Sequence, residues 1–299
     1  MGRVAFVFSG QGDQFPGMGK ELAARYPEAA EVFARCDRIR PGTGAQCFQG
    51  TEEELRETRN TQPCLYALET AVAAVMRTRG IRPEGAAGFS LGEVAAAAAA
   101  GIFDEETGFR LVCRRGALMQ EAAETADTAM AAVLKLAPET VEAICREFPG
   151  LYPVNYNCPG QLTVSGRADQ MPAFGAAVKA AGGRTVPLKV RAAFHSPCME
   201  QAAKAFRLDL DRAAMRQGEI PLYSNLTARP YTEDAAGLLS RQIASPVRWE
   251  ALIRQMIADG FDTFWEIGPG QTLTNMIRRI DSGVTARSAR EAVPEAGKC

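Results

Sequence analysis

A serine framed by two glycines, Gly88-Phe89-Ser90-Leu91-Gly92, follows a short apolar run and opens an alanine-rich helix. Few local patterns constrain a chain as much, because the segment then reads as strand, sharp turn and helix in immediate succession. A serine hydroxyl is a poor nucleophile, and a protein that uses one holds it exposed on such a turn, with little room two positions to either side. Gly88 and Gly92 leave that room. The helix beginning at Leu91 also directs free N–H groups and its positive end towards any anion formed beside Ser90.

The sequence holds a single histidine, His195 in Phe194-His195-Ser196-Pro197. A nucleophilic serine needs a base titrating near neutrality, and histidine is the usual one. The same residues also read as a helix start, with Ser196 as N-cap and Pro197 at the first helical position. The order serine then histidine is that of the α/β-hydrolases.

Around this segment, strand-like and helical stretches alternate. Strands are predicted at 3–9 and 86–89, with helices at 20–37, 62–79, 91–100 and 105–123. Such alternation argues for a mostly parallel sheet covered by helices. Between 128 and 190 the order becomes β-α-β-β-α-β, with strands at 129–136, 152–156, 162–165 and 185–190 and helices at 138–147 and 168–181. That is the ferredoxin-like order. The expected fold is therefore α/β: an α/β-hydrolase-like parallel-sheet domain over 1–127 and 191–299, with a ferredoxin-like subdomain inserted over 128–190. Strands at 221–224 and 263–267 and helices at 248–258 and 271–280 are expected to complete the larger sheet. The last dozen residues read as a loose polar tail.

Composition narrows the function classes. The 34 basic and 35 acidic residues nearly cancel, without a basic stripe or aromatic ladder, so nucleic acid is not an expected partner. No apolar run is long enough for a membrane span, and the start, Met1 to Phe8, is too short for a signal peptide. The eight cysteines include no Cys-x-x-Cys pair, which predicts neither a zinc site nor a disulfide framework and suits a cytoplasmic protein. Gly10-Gln11-Gly12-Asp13-Gln14 lacks the third glycine of a dinucleotide fingerprint, and Gly19-Lys20-Glu21 lacks the hydroxyl residue of a P-loop. A glycine loop after the first strand can instead bring a backbone N–H to the nucleophile.

Taken together, Gly10-Gln11-Gly12-Asp13-Gln14, Thr61-Gln62-Pro63, Gly88-Phe89-Ser90-Leu91-Gly92-Glu93, Arg115-Gly116 with Met119-Gln120, Asn157-Cys158-Pro159-Gly160-Gln161, Ser165-Gly166, Phe194-His195-Ser196 and Gly268-Pro269-Gly270 stand in family order from about Val4 to Ile280. The chain thereby resembles the malonyl-CoA:acyl carrier protein transacylases and the related acyltransferase domains of fatty acid and polyketide synthases. The resemblance implies Ser90 as nucleophile, His195 as base, and an oxyanion held by the N–H groups of Gln11 and Leu91. The histidine would be oriented by the backbone carbonyl of Gln242; a carboxylate between Ser90 and His195, such as Asp169, is the hydrolase-like alternative.

Arg115, 25 residues after Ser90, would receive the malonyl carboxylate. A planar guanidinium suits that task, although a solvated arginine beside Arg114 is the plainer reading. Gln62, Phe89 and Phe194 would line the acyl site. Phe194 before the histidine implies malonyl over methylmalonyl, and otherwise reads as a core residue. Phe89 stands where the family usually has histidine, which predicts a slower enzyme or an altered acyl preference. Malonyl-CoA and acyl carrier protein are the implied partners of a monomer without metal or redox cofactor. An editing thioester hydrolase and a non-catalytic carrier-docking subunit are the other classes left open.

Overall fold

The structure, a computed structural model, describes residues 2–232 and 234–297. Among the described residues nine strands form two sheets: β1 (Arg3–Phe8), β2 (Gly85–Gly88), β3 (Thr128–Leu134), β4 (Leu151–Cys158), β5 (Gln161–Arg167), β6 (Arg184–Pro187), β7 (Leu222–Tyr223), β8 (Phe261–Ile267) and β9 (Thr285–Ser288). The larger sheet is parallel, in the order β7-β2-β1-β8-β9. Its central strands are buried on both faces and are correspondingly apolar throughout, as in Ala5 to Phe8 and Ala86-Ala87. Phe8 pairs with Gly88, so the turns leaving β1 and β2 lie side by side at the carboxyl edge, where open α/β sheets place their sites.

The second sheet is antiparallel, in the order β4-β5-β3-β6, with helices Pro138–Arg146 and Met171–Ala180 supplied in the chain order β-α-β-β-α-β. It has its own apolar core around Val133, Val141, Leu162, Val164, Phe174 and Val178. Two backbone hydrogen bonds, Tyr156 N–H to Val247 C=O at 2.9 Å and Val247 N–H to Val154 C=O at 2.8 Å, tie it to the larger body.

Several boundaries differ from the sequence reading. The helix expected over 20–37 is two helices, Lys20–Arg25 and Pro27–Ile39, because proline starts a helix more readily than it continues one. The helix expected from 62 begins at Thr58 and carries Pro63 inside it. The expected strand over 185–190 ends at Pro187. The predicted loose tail is instead β9 followed by two short 3-10 turns that bury Ala289, Val293 and Ala296. Apolar side chains spaced by single turns held the tail down without giving a helical or strand period.

Of the eight cysteines, Cys299 lies outside the described residues; the other seven are free thiols. Among the described residues no helix is long and apolar enough to cross a membrane.

Candidate active site

The strand–turn–helix at Ser90 is tight enough to require both of its glycines. A Cβ on Gly88 would fall 1.9 Å from the Gly92 carbonyl carbon, and one on Gly92 would fall 2.4 Å from the carbonyl oxygens of Phe8 and Ser9. Ser90 itself has φ 54°, a left-handed conformation that non-glycine residues rarely hold without support. The support is Asn225, directly after β7. Its Oδ1 accepts the Ser90 N–H at 2.8 Å and its Nδ2 donates to the Gly88 carbonyl at 2.6 Å.

Ser90 Oγ lies 2.7 Å from His195 Nε2, although the two are 105 residues apart. His195 is 3 % exposed and also has a positive φ, 62°. Its Nδ1 lies 3.0 Å from the Gln242 carbonyl and 3.2 Å from the Ser245 carbonyl. Two acceptors at Nδ1 place the proton there, so Nε2 faces Ser90 with its lone pair. Burial and the nearby Arg115 charge push the imidazole down to about 4, while the two carbonyls act in the opposite sense. His195 is therefore neutral at pH 7. Asp169 is not involved: it is an exposed carboxylate paired with Arg167 at 2.6 Å. Ser196 does cap the following turn, accepting the Cys198 N–H at 3.3 Å, so the helix-start reading holds beside the base reading.

Arg115 is wholly buried, and among the described residues it forms no ion pair within 4.0 Å. Its Nη1 donates to Gln62 Oε1 at 2.8 Å, and its Nη2 donates to Gln242 Oε1 at 2.7 Å and to Ser90 Oγ at 3.3 Å. Its Nε–H, also buried, has no acceptor. Burial pushes the guanidinium down to about 10, opposed by the field of Glu93. Arg114, by contrast, points outward to Asp209.

Of the remaining expected residues, Gln62 bonds Arg115, Phe89 and Leu91 flank Ser90, and Phe194 precedes His195, while neither cavity at Phe194 or Gln11 is lined by Ser90, His195 or Arg115. Gly10 allows the loop after β1 to lie against the elbow, since a Cβ there would sit 2.9 Å from the Phe89 ring. The side chain of Gln11 donates to Thr58 Oγ1 at 3.3 Å. Neither the Gln11 N–H nor the Leu91 N–H donates to a protein acceptor among the described residues. Phe89 is half-buried and meets the Trp249 ring edge-on at 5.5 Å. Phe194, 8 % exposed, lines a cavity of about 470 Å³ together with Thr58, Gln120 and Ala192. A second cavity of about 460 Å³ adjoins it at Arg56 and 188–190 and reaches Gln11. The basic groups of Arg56, Lys189 and Arg191 and the carboxylates of Glu52, Glu53 and Glu57 rim this cleft.

Sequence reasoning missed Asn225 and Tyr231, and gave Glu93, although it stands in the elbow motif, no role. Placement was the signal for Asn225, since Ser224-Asn225 ends a strand of the parallel sheet, and Glu93 lies one turn beyond Ser90.

Comparison with known proteins bears on the family and the fold. A profile of the acyl transferase domain matches residues 5–295. The malonyl CoA-acyl carrier protein transacylase of Bacillus subtilis is 37 % identical over 289 residues, covering 94 % of this chain and 91 % of its own. The crystal structure of the transacylase of that name from Clostridium perfringens superimposes with a TM-score of 0.93 at 33 % identity, covering 98 % and 96 % of the two chains. A malonyl-transacylase solved in complex with a type II PKS acyl-carrier protein gives a TM-score of 0.90 at 34 % identity, covering 96 % and 94 %.

Proposed function

The chain belongs to the acyl transferase domain family, and from that premise we propose that it moves a malonyl group from CoA to the phosphopantetheine thiol of an acyl carrier protein through an ester on Ser90. The observation that carries this reading is a buried, ion-pair-free guanidinium 3.3 Å from a serine hydroxyl that itself sits 2.7 Å from a neutral histidine. A buried cation is costly unless something pairs with it. A carboxylate on the incoming acyl group would do so and would reach the unpartnered Nε–H.

In the first half-reaction Ser90 Oγ attacks the thioester carbonyl while its proton passes to His195 Nε2. The oxyanion falls to the N–H groups of Gln11 and Leu91, and collapse breaks the C–S bond, the thiolate taking the proton back from His195. The carrier thiol repeats the sequence in reverse and frees Ser90. The carbonyls of Gln242 and Ser245 steady the imidazolium formed in each half. The side chains of Ser90, His195 and Arg115, with the backbone groups of Gln11, Leu91, Gln242 and Ser245, supply every group these steps need, so the reading calls for no metal or redox cofactor and for a single chain.

The cleft beside Phe194 has the volume of a typical ligand site, and the cationic groups of Arg56, Lys189 and Arg191 within its mixed-charge rim offer contacts to the phosphates of CoA and of the carrier's prosthetic arm. With it goes the reading of the two sheets as an α/β-hydrolase-like domain over 1–127 and 191–299 and a ferredoxin-like insert over 128–190.

Intact-protein mass spectrometry after mixing with malonyl-CoA tests the proposal: one malonyl mass is expected, on the peptide containing Ser90. Ser90→Ala abolishes it, and Arg115→Ala lowers malonyl labelling by at least about tenfold relative to acetyl labelling, as for loss of a charged hydrogen-bond partner. Labelling that persists without Ser90, or an unchanged acyl ratio without Arg115, refutes it.

A further inference from the structure

Glu93 lies one turn beyond Ser90 and is wholly buried. Its carboxylate accepts from the Tyr231 hydroxyl at 2.6 Å, from Gln242 Nε2 at 2.8 Å, and from the Asn225 N–H at 3.2 and 3.3 Å. Two of these three donors hold the reacting groups. Asn225 binds the peptide on both sides of the elbow. Gln242 donates from Nε2 to the Ser90 carbonyl at 2.6 Å, offers Oε1 to Arg115, and through its own carbonyl holds His195.

Above about pH 7, where the Glu93 carboxyl is ionised, it only accepts hydrogen bonds, whereas a side-chain amide has a donating and an accepting end. The Ser90 carbonyl and the neighbour at 93 therefore decide together which end of Gln242 faces Arg115. With Glu93 in place, both acceptors draw Nε2, and Oε1 is left facing the guanidinium. A neighbour able to donate removes one of those two acceptors and weakens the hold on the amide, whose reversed form would set N–H groups against a guanidinium that has only donors to offer.

We propose that Glu93 is a positioning residue that fixes the Gln242 amide and so aims Arg115 at the carboxylate of the acyl group, placing the control of acyl selectivity one residue behind the arginine. This rests on the reading of Arg115 as the acyl-carboxylate partner. The pull of Arg115 on Glu93, which partly offsets the upward push of burial, is the electrostatic face of the same link.

The test, run above about pH 8 where Glu93 is ionised, is Glu93→Gln, nearly isosteric but able to donate, beside Glu93→Asp, which when ionised is an acceptor only. For Glu93→Gln, KM for malonyl-CoA is expected to rise about tenfold relative to KM for acetyl-CoA, the size of one misdirected charge-assisted hydrogen bond. Glu93→Asp recovers part of the malonyl preference. A second readout needs no turnover: a sulfonyl fluoride labels Ser90, and free malonate protects it by occupying Arg115. The malonate concentration for half-protection is expected to rise about tenfold in Glu93→Gln, again the loss of one such bond. An equal fall for both acyl groups, or no change in either, overturns the inference. If the unmodified chain takes no malonyl group from CoA, the proposed function fails instead, and malonate protection alone then decides the role of Glu93, an unshifted value refuting it.

Discussion

His195 is held by two opposing influences. Burial and the Arg115 guanidinium disfavour the imidazolium, while the Gln242 and Ser245 carbonyls favour it, and the balance lies at about 4. An acyl carboxylate seated on Arg115 would offset the second of the disfavouring influences and raise the basicity of His195. The pH profile carries the sign of this effect, since kcat/KM reports the free enzyme and kcat the loaded one. With malonyl-CoA, the acid limb of kcat is expected at higher pH than that of kcat/KM. With acetyl-CoA, which brings no carboxylate, the two limbs coincide. Steady-state rates from pH 3.5 to 8 decide the matter, and coincident limbs for malonyl-CoA would show that Arg115 is not neutralised by substrate. The grouping of Ser90, His195 and Arg115 was legible in the sequence, the first two because a glycine-framed serine and a lone histidine are uncommon, and Arg115 only through its register with the family motifs. Asn225 was not, because an asparagine 135 residues from the serine it supports carries no local mark.

Helices Thr58–Thr78 and Glu105–Ala123 bring Gln62 and Arg115 together, and glycine sets how near they come. A Cβ on Gly116 would sit 2.9 Å from the Thr58 carbonyl oxygen, a backbone atom that cannot step aside. Gly116→Ala should therefore push the two helices apart and lengthen the 2.8 Å bond from Arg115 Nη1 to Gln62 Oε1. Overpacking of this kind costs about 1 to 3 kcal/mol, partly offset by the better helix propensity of alanine. The expected outcome is a lower melting temperature together with a malonyl KM raised more than kcat is lowered; an unchanged KM would mean that the arginine adjusts independently of its helix. Long amphipathic elements such as Glu105–Ala123 were read from their period to the residue. The helices Thr43–Gln49 and Glu52–Arg56 were not foreseen, because five to seven residues hold too few turns to show a period.

Across the whole molecule, the two-sheet plan was visible in the switch from βα alternation to β-α-β-β-α-β. The edge strand β9 and the folded carboxyl end were hidden because pairing with β8, at 261–267, gives Thr285–Ser288 its structure rather than any pattern of its own. Equally invisible was the concentration of buried acid around the carboxyl edge of the parallel sheet. Burial pushes Glu93 and Glu266 each up to about 7, Glu69 well above its ordinary value of 4.5, and Asp13 upward as well. Glu69 has one buried oxygen without a partner, and its other oxygen accepts only from the Ser9 hydroxyl at 2.7 Å. Between about 4.5 and 7 the folded chain keeps protons on these carboxyls that the unfolded chain has released. His195 acts oppositely over its window from 6.5 down to about 4, but it is one group against several. With more protons bound in the folded state, stability falls as pH rises, by about 1.4 kcal/mol per pH unit for each fully displaced group. The melting temperature is therefore expected to drop between pH 5 and pH 8, the reverse of a protein whose paired carboxylates dominate. Glu69→Gln, which keeps the volume and removes one titrating group, should flatten that decline, since the ionised form is no longer there to be suppressed. Melting curves at half-unit steps of pH measure both slopes. A flat or rising trend in the unmodified chain, or an equally steep one in Glu69→Gln, would place the pH dependence of folding elsewhere than in this buried acidic layer.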